Sequence, residues 1–393
     1  MKVAYFIPQF PRLTETFIRR EVEDLSKRED LLVKVFAVEQ EKKPDPDLRE
    51  LVSYWHPSPL QKILDFFSFF FSHPVRFFDL VIKYGRQPKA LLNGVSLGVK
   101  MRTFSPDLLF VHFIAWPADL GAVVADMLGI KWGISAHAKD IFFSSPRALR
   151  RRVQAADFVV TCTGYNRNYL CNRVPGENHR KIHKIYHGLE TDIFSGEEVN
   201  RDNQKIKIIS VGRLVEKKGF SYLLQASALL KEAGYDFSLE IYGGGPLREN
   251  LGTEISRLDL ENIVELRGRV PFEEVRDAYL SADIFALACV RAESGDMDGL
   301  PNVILEAQLA GLPVVSTRVS GIPEGVVEGE TAFLVEPRDS RALSQALLEL
   351  IEDSKMRKVF GQAGREYVRN NFAVHENVGK LAKLFRKVSL SNG

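Results

Sequence analysis

Two cations, Arg213 and Lys218, lie in Val211-Gly-Arg-Leu-Val-Glu-Lys-Lys-Gly-Phe220, directly after the apolar run Ile206 to Gly212 that reads as a buried strand. A strand-end pair of this kind can clamp a diphosphate. In a group transfer it would stabilise charge on a departing nucleotide diphosphate, an effect worth ~3 to 4 kcal/mol per donor. A second strand end carries Gly243, Gly244 and Gly245 before Pro246, where missing side chains, as at Gly212, let a ligand approach the backbone. A third runs from Glu293 to Thr317. In it an acidic loop holding Asp298, Gly299 and Leu300 meets Pro301, read as the first helical residue, with Glu306 about a turn and a half inside the helix. Two hydroxyl-binding carboxylates beside backbone amides suit a nucleotide sugar. In the other half of the chain, His112 and His137 each follow a strand, and Lys139 and Asp140 come directly after His137.

The elements that position these residues alternate. Val3 to Ile7 reads as a parallel strand and Phe10 to Leu25 as a helix with Thr14 as N-cap, Ile18, Val22 and Leu25 inward and Arg19, Arg20, Glu23 and Asp24 outward. Strand Val33 to Val38 leads into a charged loop, Glu41 to Glu50. Strands Asp107 to Phe113, Lys131 to Ser135 and Asp157 to Thr161 follow, with a basic helix from Arg147 to Ala155, Thr163 capping another helix, and a basic segment from His179 to His187. Polar, aperiodic residues Ser195 to Gln204 read as a linker. Strands Ile206 to Gly212, Ser238 to Tyr242, Ile263 to Arg267, Ile284 to Ala288 and Pro313 to Thr317 then alternate with helices. This pattern predicts an α/β chain of two Rossmann-like domains facing across a cleft. They span residues 1–195 and 205–372, and an amphipathic C-terminal helix over 373–393 must pack on something. Ligands of such sheets bind beyond the carboxyl ends of the strands, where His112 and His137 emerge.

Length favours two or three domains, and 45% hydrophobic residues are enough to bury their cores. A net charge of +2 excludes binding a polyanion by bulk charge, so nucleic acid is not an expected partner. Cys162, Cys171 and Cys289 show neither metal spacing nor an even count, which fits a reducing cytoplasm. No apolar run reaches the roughly 18 residues of a membrane span. Seven of the 26 phenylalanines lie between Leu60 and Arg86, with Lys62, Arg76, Lys83 and Arg86 among them. Pro74 divides the stretch into two amphipathic helices. These admit two readings: helices packed on the sheet, or an aromatic face in a membrane interface.

Taken together, Val211-Gly-Arg213 with Lys218-Gly219, Gly243-Gly-Gly-Pro246, the Asp298 and Glu306 pair and Gly311-Leu-Pro-Val-Val-Ser316 resemble family four of the retaining glycosyltransferases. Phe10 to Ile18, His137-Ala-Lys-Asp140 and Gly295 to Pro301 are similar, more narrowly, to the colanic-acid type of bacterial exopolysaccharide glycosyltransferases. The resemblance implies the GT-B fold, its terminal helix crossing back to the first domain. It implies that Arg213 and Lys218 hold the donor diphosphate and Glu306 the ribose hydroxyls. Asp298, with the amides of Gly299 and Leu300, would meet the transferred sugar, and His137 would lie near the reacting sugar. His112, Lys139 and Asp140 are expected on the acceptor side. The chain departs from the family in carrying Asp298 where Glu is usual, and Pro8 to Leu13 where a glycine turn is usual.

The implied activity is retaining, metal-independent transfer of a sugar from a UDP- or GDP-linked nucleotide sugar, a co-substrate rather than a cofactor. The implied acceptor is a hydroxyl of a glycan, a lipid-linked oligosaccharide in exopolysaccharide or cell-surface polysaccharide synthesis, reached from the cytoplasm at the inner face of the cell membrane. The alternatives are a nucleotide-sugar epimerase of the same fold, a non-catalytic sugar-nucleotide module and an NAD enzyme. The absent Gly-x-Gly-x-x-Gly after the first strand argues against the last.

Overall fold

The computed structural model describes residues 1–12, 15–40, 48–194 and 205–390. Thr14, residues 41–47 of the expected charged loop and the expected linker Ser195 to Gln204 lie outside them. The chain divides into two compact units, Met1–Gly188 with Val374–Gly393, and Leu189–Ala373.

In the first unit β1 (Lys2–Gln9), β2 (Leu32–Glu39), β3 (Val52–Tyr54), β4 (Leu108–His112), β5 (Lys131–Ala136), β6 (Phe158–Thr161) and β7 (Ile182–Lys184) form one parallel sheet, ordered β3-β2-β1-β4-β5-β6-β7. Strand side chains alternate between faces, so β1 feeds both halves of the core. Val3, Tyr5 and Ile7 enter one apolar cluster, and Ala4 and Phe6 the other. The first cluster is closed by α1 (Thr16–Ser26) and α15 (Val374–Leu390), whose Val378, Leu381 and Phe385 are buried against Tyr5, Phe110 and Phe158. The second is covered by α2 (Pro59–Ser72), α3 (Pro74–Tyr84), α4 (Pro88–Arg102) and α5 (Trp116–Leu128). Between β5 and β7 lie the short α6 (Ala138–Phe142), α7 (Pro146–Ala155) and α8 (Gly164–Cys171), with Thr163 accepting from the Asn166 amide as the cap of α8.

The first helix begins at Thr16, not Phe10: β1 runs on to Gln9, and residues 10 to 12 leave the sheet as an irregular segment in which the Phe10 amide donates to the Glu39 carbonyl. β3 and α4 escape sequence pattern: the strand is three residues long, and α4 carries Gly94 and Gly98. Those glycines have a packing reason, since a Cβ at Gly94 would lie 2.6 Å from the Val123 side chain and one at Gly98 2.5 Å from Met127 Sδ.

The second unit repeats the design. β8 (Ile206–Val211), β9 (Phe237–Tyr242), β10 (Val264–Gly268), β11 (Ile284–Leu287), β12 (Val314–Thr317) and β13 (Ala332–Val335) pair in parallel in the order β10-β9-β8-β11-β12-β13. They alternate with α9 (Phe220–Glu232), α10 (Arg248–Arg257), α11 (Phe272–Ser281) and α12 (Asn302–Leu309), and α13 (Ser340–Glu352) and α14 (Ser354–Phe372) complete the unit. Both sheets reverse strand order once, between β1 and β4 and between β8 and β11. A reversal leaves a crevice beyond the strand ends, the usual ligand position in such sheets.

Candidate active site

At the second unit's reversal, β8 leads through Gly212 and Arg213 into a 3-10 turn at Glu216–Lys218, which Gly219 ends in the left-handed region at φ 65°. The turn is locked against β11. A Cβ on Gly219 would stand 1.8 Å from the Ala288 carbonyl oxygen, and the Val290 amide donates to the Lys217 carbonyl at 2.9 Å. Gly243, at φ 136°, leaves the end of β9 so close to β8 that its Cβ would fall 1.9 Å from the Gly212 carbonyl oxygen. Gly245 is likewise pressed on Leu214, 2.5 Å from its carbonyl oxygen, and Gly244 on the Arg269 side chain. Three loops meet here closely enough that only glycine fits.

The same turn drives both lysines inward. Lys218 Nζ lies 2.7 Å from Asp298 Oδ2, and Lys217 Nζ lies 3.0 Å from Asp298 Oδ1 and 3.2 Å from Asp296 Oδ2. Lys217 and Lys218 are buried. Burial pushes the Asp298 carboxyl up, but the Lys218 and Lys217 ammonium groups outweigh it and hold the group at about 2. Burial also works against the Lys218 ammonium, and Asp298 raises it above its ordinary value. Both groups are therefore ionised at neutral pH. Arg213 is exposed, near enough to Lys218 to oppose its charge. Beneath them the Cys289 thiol is buried and pushed up to about 12.

The loop from β11 to α12 is held by its own hydrogen bonds: Ala292 amide to Asp296 carbonyl, Gly295 amide to Ala292 carbonyl, and Glu293 amide to Glu216 Oε1 at 2.8 Å. Gly299 accepts from the Gly321 amide, and Leu300 sits against Gly325, whose Cβ would be 2.5 Å from Leu300 Cδ1. Pro301 is the N-cap of α12 rather than its first residue. Glu306, half-buried, receives the Tyr279 hydroxyl at 3.4 Å.

At the first unit's reversal His112, fully buried at the end of β4, lies with Nδ1 3.3 Å from His137 Nε2 and Nε2 3.3 Å from Glu21 Oε1. The Tyr5 hydroxyl donates to that same Glu21 oxygen at 2.9 Å. Phe17 and His187 pack against His137, with ring centroids 5.1 and 5.2 Å away. Burial, with His187 and His112 beside it, lowers His137 well below its ordinary value, and burial lowers His187 to about 4 against the pull of Glu21. Both imidazoles are neutral at pH 7. Asp140 turns its carboxylate inward onto the amides of His137, at 2.8 Å, and Ile114. Burial raises it to about 7 even so, the amides pulling the other way. Asp140 thus orients His137 through the backbone, while Lys139 is exposed.

The structure brings Lys218 together with Asp298, and His112 with His137. Sequence reasoning passed over Lys217, Tyr279, Tyr5 and Glu21. For Glu21 there was a signal: an acid on the Ile18, Val22 and Leu25 face of an amphipathic helix requires a buried partner. Cys162, Cys171 and Cys289 are free thiols, and among the described residues no helix is long and apolar enough to cross a membrane.

The family model described as glycosyl transferases group 1 matches residues 194–367. A protein of Escherichia coli strain K12 named for colanic acid biosynthesis, the glycosyltransferase WcaL, is 31% identical over 312 residues, covering 77% of this chain and 76% of its own. The amylovoran biosynthesis glycosyltransferase AmsK of Erwinia amylovora is 29% identical over 314 residues, 78% of this chain and 76% of AmsK. In fold, the chain resembles Anabaena HepE crystallised with UDP, with a TM-score of 0.74 at 18% identity over 98% of this chain and 100% of HepE. It also resembles sucrose-phosphate synthase of Thermosynechococcus elongatus, with a TM-score of 0.76 at 17% identity over 99% of each. The fold is GT-B, and the chain belongs to the group 1 glycosyltransferases.

Proposed function

We propose that this glycosyltransferase moves a sugar, with retention at the anomeric carbon and without a metal ion, from a nucleotide-diphosphate sugar to a glycan hydroxyl. The glycan is a lipid-linked oligosaccharide of exopolysaccharide or cell-surface polysaccharide synthesis, met at the cytoplasmic face of a membrane. One observation carries the reading: two buried lysines close over Asp298 at the point where the second sheet reverses, with glycine-only backbone around them. A diphosphate offers Lys218 the charge that Asp298 now supplies, and Arg213 stands exposed at the same loop to meet it. Asp298 is then left to accept hydrogen bonds from sugar hydroxyls, and Glu306 to take the ribose. With its charge already met by two ammonium groups, Asp298 is poorly suited to hold a metal cation. Relatives support the setting. WcaL and AmsK are named for colanic acid and amylovoran biosynthesis, and HepE was crystallised with UDP.

In this reading the bond from the anomeric carbon to the diphosphate breaks first, with Arg213 and Lys218 stabilising the leaving charge. The acceptor oxygen attacks on that same face, and the departing phosphate oxygen takes its proton. His137 serves the sugar and acceptor side as a neutral hydrogen-bonding group with His112 beside it, with Lys139 at the rim, Asp140 and Glu21 as positioning residues, and domains at 1–195 and 205–372. Thermal-shift screening of UDP- and GDP-sugars identifies the donor, since stabilisation grows with ligand concentration over Kd. Arg213→Ala with Lys218→Ala is then expected to lower turnover by at least about 10²- to 10³-fold, the cost of a single donor of this kind. The product should keep the donor's anomeric configuration by NMR. Unchanged turnover in the double variant, or an inverted product, overturns the proposal.

A further inference from the structure

An uncovered apolar face stands out on α2 and α3. Of the fifteen large hydrophobic side chains exposed on the described surface, eight belong to this helical pair. Leu60, Leu64, Phe67 and Phe71 recur at helical spacing down one side of α2, and Val75, Phe78 and Ile82 down one side of α3. Phe71 and Val75 are each 77% exposed and Ile82 84%. The opposite sides are already occupied: Phe69, Phe77, Leu80 and Tyr84 are buried in the core, and Phe70 lies between the helices, its ring 5.0 Å from Phe77 and 5.9 Å from Phe78. Both helices are thus apolar on two sides, and a helix of that kind normally has something covering both.

The charge around this face selects the cover. Lys62, Arg76, Lys83, Arg86 and Lys89 lie on the pair and the segment after it, against two acids, Asp65 and Asp79. Asp65 is turned into the core, where it accepts from Gln61 and Ser96 at 2.7 and 2.6 Å. Lys83 also meets Asp126 of α5 at 2.6 Å and Arg76 donates to the Met127 carbonyl at 3.2 Å, so even with Asp79 and Asp126 counted the five cations leave this region basic. Lys62 and Lys83 lie over the rings of Trp55 and Tyr84, at 5.5 and 5.4 Å. An aromatic and aliphatic face with cations on its flanks matches an anionic lipid surface, whose headgroups meet the cations while side chains enter the acyl boundary. A second copy of this chain would bring the same cations against themselves.

We propose that the α2–α3 pair is a docking surface for an anionic bilayer, entering it to the depth of Phe67, Phe71 and Phe78. It deepens the lipid-linked acceptor reading above by assigning the surface that meets the membrane, while owing nothing to the donor-site assignment.

The full chain is tested by co-sedimentation with phosphatidylcholine vesicles and with vesicles containing a quarter phosphatidylglycerol. The wild type is expected to prefer the anionic vesicles by tenfold or more, the preference shrinking with salt. Phe67→Ser with Phe71→Ser and Phe78→Ser should lower that binding at least tenfold, with the thermal midpoint and UDP affinity unchanged. A single Phe71→Trp reporter, which leaves the face apolar, should shift its emission to the blue and be quenched by brominated lipid. Three outcomes overturn the proposal: a reporter that brominated lipid does not quench, a triple variant bound as tightly as wild type, or a wild type that ignores vesicles and dimerises through this face. UDP binding that persists while docking fails leaves the transfer reading intact, and docking that persists without nucleotide binding does the reverse.

Discussion

Replacing Asp298 by Asn separates the two roles that meet at the second sheet's reversal. The wild-type carboxylate lies 2.7 Å from Lys218 Nζ and 3.0 Å from Lys217 Nζ, and these groups hold it at about 2 against an ordinary 3.8. That depression corresponds to roughly 2 kcal/mol favouring the charged form. The amide removes that and also leaves the buried Lys218 ammonium facing no carboxylate, Lys217 keeping Asp296 at 3.2 Å, and breaking a buried pair costs ~3 to 5 kcal/mol. The lysines retain slight exposure, so a loss of about 2 to 4 kcal/mol is expected for the ligand-free variant. For a unit of this size that is a fall of roughly 4 to 16 °C in thermal midpoint. The sign with pH is fixed by the depressed carboxyl. Its contribution is present above 3.8 and lost as pH falls through about 2, so that acid step should vanish in the Asn variant.

Ligand reverses the picture. On the proposed reading a diphosphate draws Lys218 away from Asp298 in the wild type, whereas in the variant it meets a Lys218 freed from that carboxylate, with Lys217 still beside Asp296. UDP should therefore bind Asp298→Asn more tightly, by about an order of magnitude, and restore more of its midpoint than it adds to wild type. Sugar transfer should fall, because the amide replaces a charge-assisted hydrogen bond to the sugar. Differential scanning fluorimetry with and without UDP, together with calorimetric titration, reads all of this. UDP binding that weakens in step with turnover would refute the reasoning, as would a ligand-free midpoint within a degree of wild type.

Two further outcomes are expected. Gly219→Ala places a Cβ 1.8 Å from the Ala288 carbonyl in a left-handed residue, and it should cost more than about 3 kcal/mol in urea unfolding; a loss below 1 kcal/mol would show that the turn relaxes. Glu21→Gln keeps the shape of the Tyr5 and His112 contacts but removes the charge, and should lower kcat about tenfold with donor KM unchanged and displace the acid limb of the kcat profile. An unshifted profile would make Glu21 merely structural.

The parallel strands were legible because each is a short apolar run between helical periods, and the crowded strand ends because glycine runs after strands have few other uses. The Asp298 and Glu306 arrangement was legible from one loop running into one helix. What sequence did not show depends on which way a side chain turns over a three-residue helical turn. Lys217 and Lys218 are adjacent, and adjacent residues on most elements diverge. Here a 3-10 turn ending in a left-handed glycine sends both inward, a fact of φ angles rather than composition. The start of α1 was misplaced for a related reason: Phe10 to Leu25 has the apolar content of one helix, yet the Phe10 amide is spent on the Glu39 carbonyl of β2 and the helix starts only at Thr16. The pairing of Glu21 with His112 joins residues 91 positions apart, which only the order of β1 and β4 brings together.

That same topology yields opposite electrostatics in the two units. In the second, the raised Lys218 ammonium and the Asp298 carboxylate depressed to about 2 stay ionised throughout the physiological range, as charge stabilisation of a departing diphosphate requires. In the first, burial keeps His137 well below its ordinary value and His187 at about 4, so their imidazoles are neutral at pH 7. A neutral imidazole has one nitrogen that accepts, and among the described residues His137 Nδ1 is buried with no hydrogen-bond partner. A protonated histidine there would repel the cation-like anomeric carbon of a dissociating sugar, whereas a neutral one can accept from a sugar hydroxyl. On the reading proposed above, the second unit supplies fixed charge to the leaving diphosphate and the first an uncharged acceptor for a sugar hydroxyl, with Tyr5, Glu21 and His112 linked in a chain of contacts to the His137 ring.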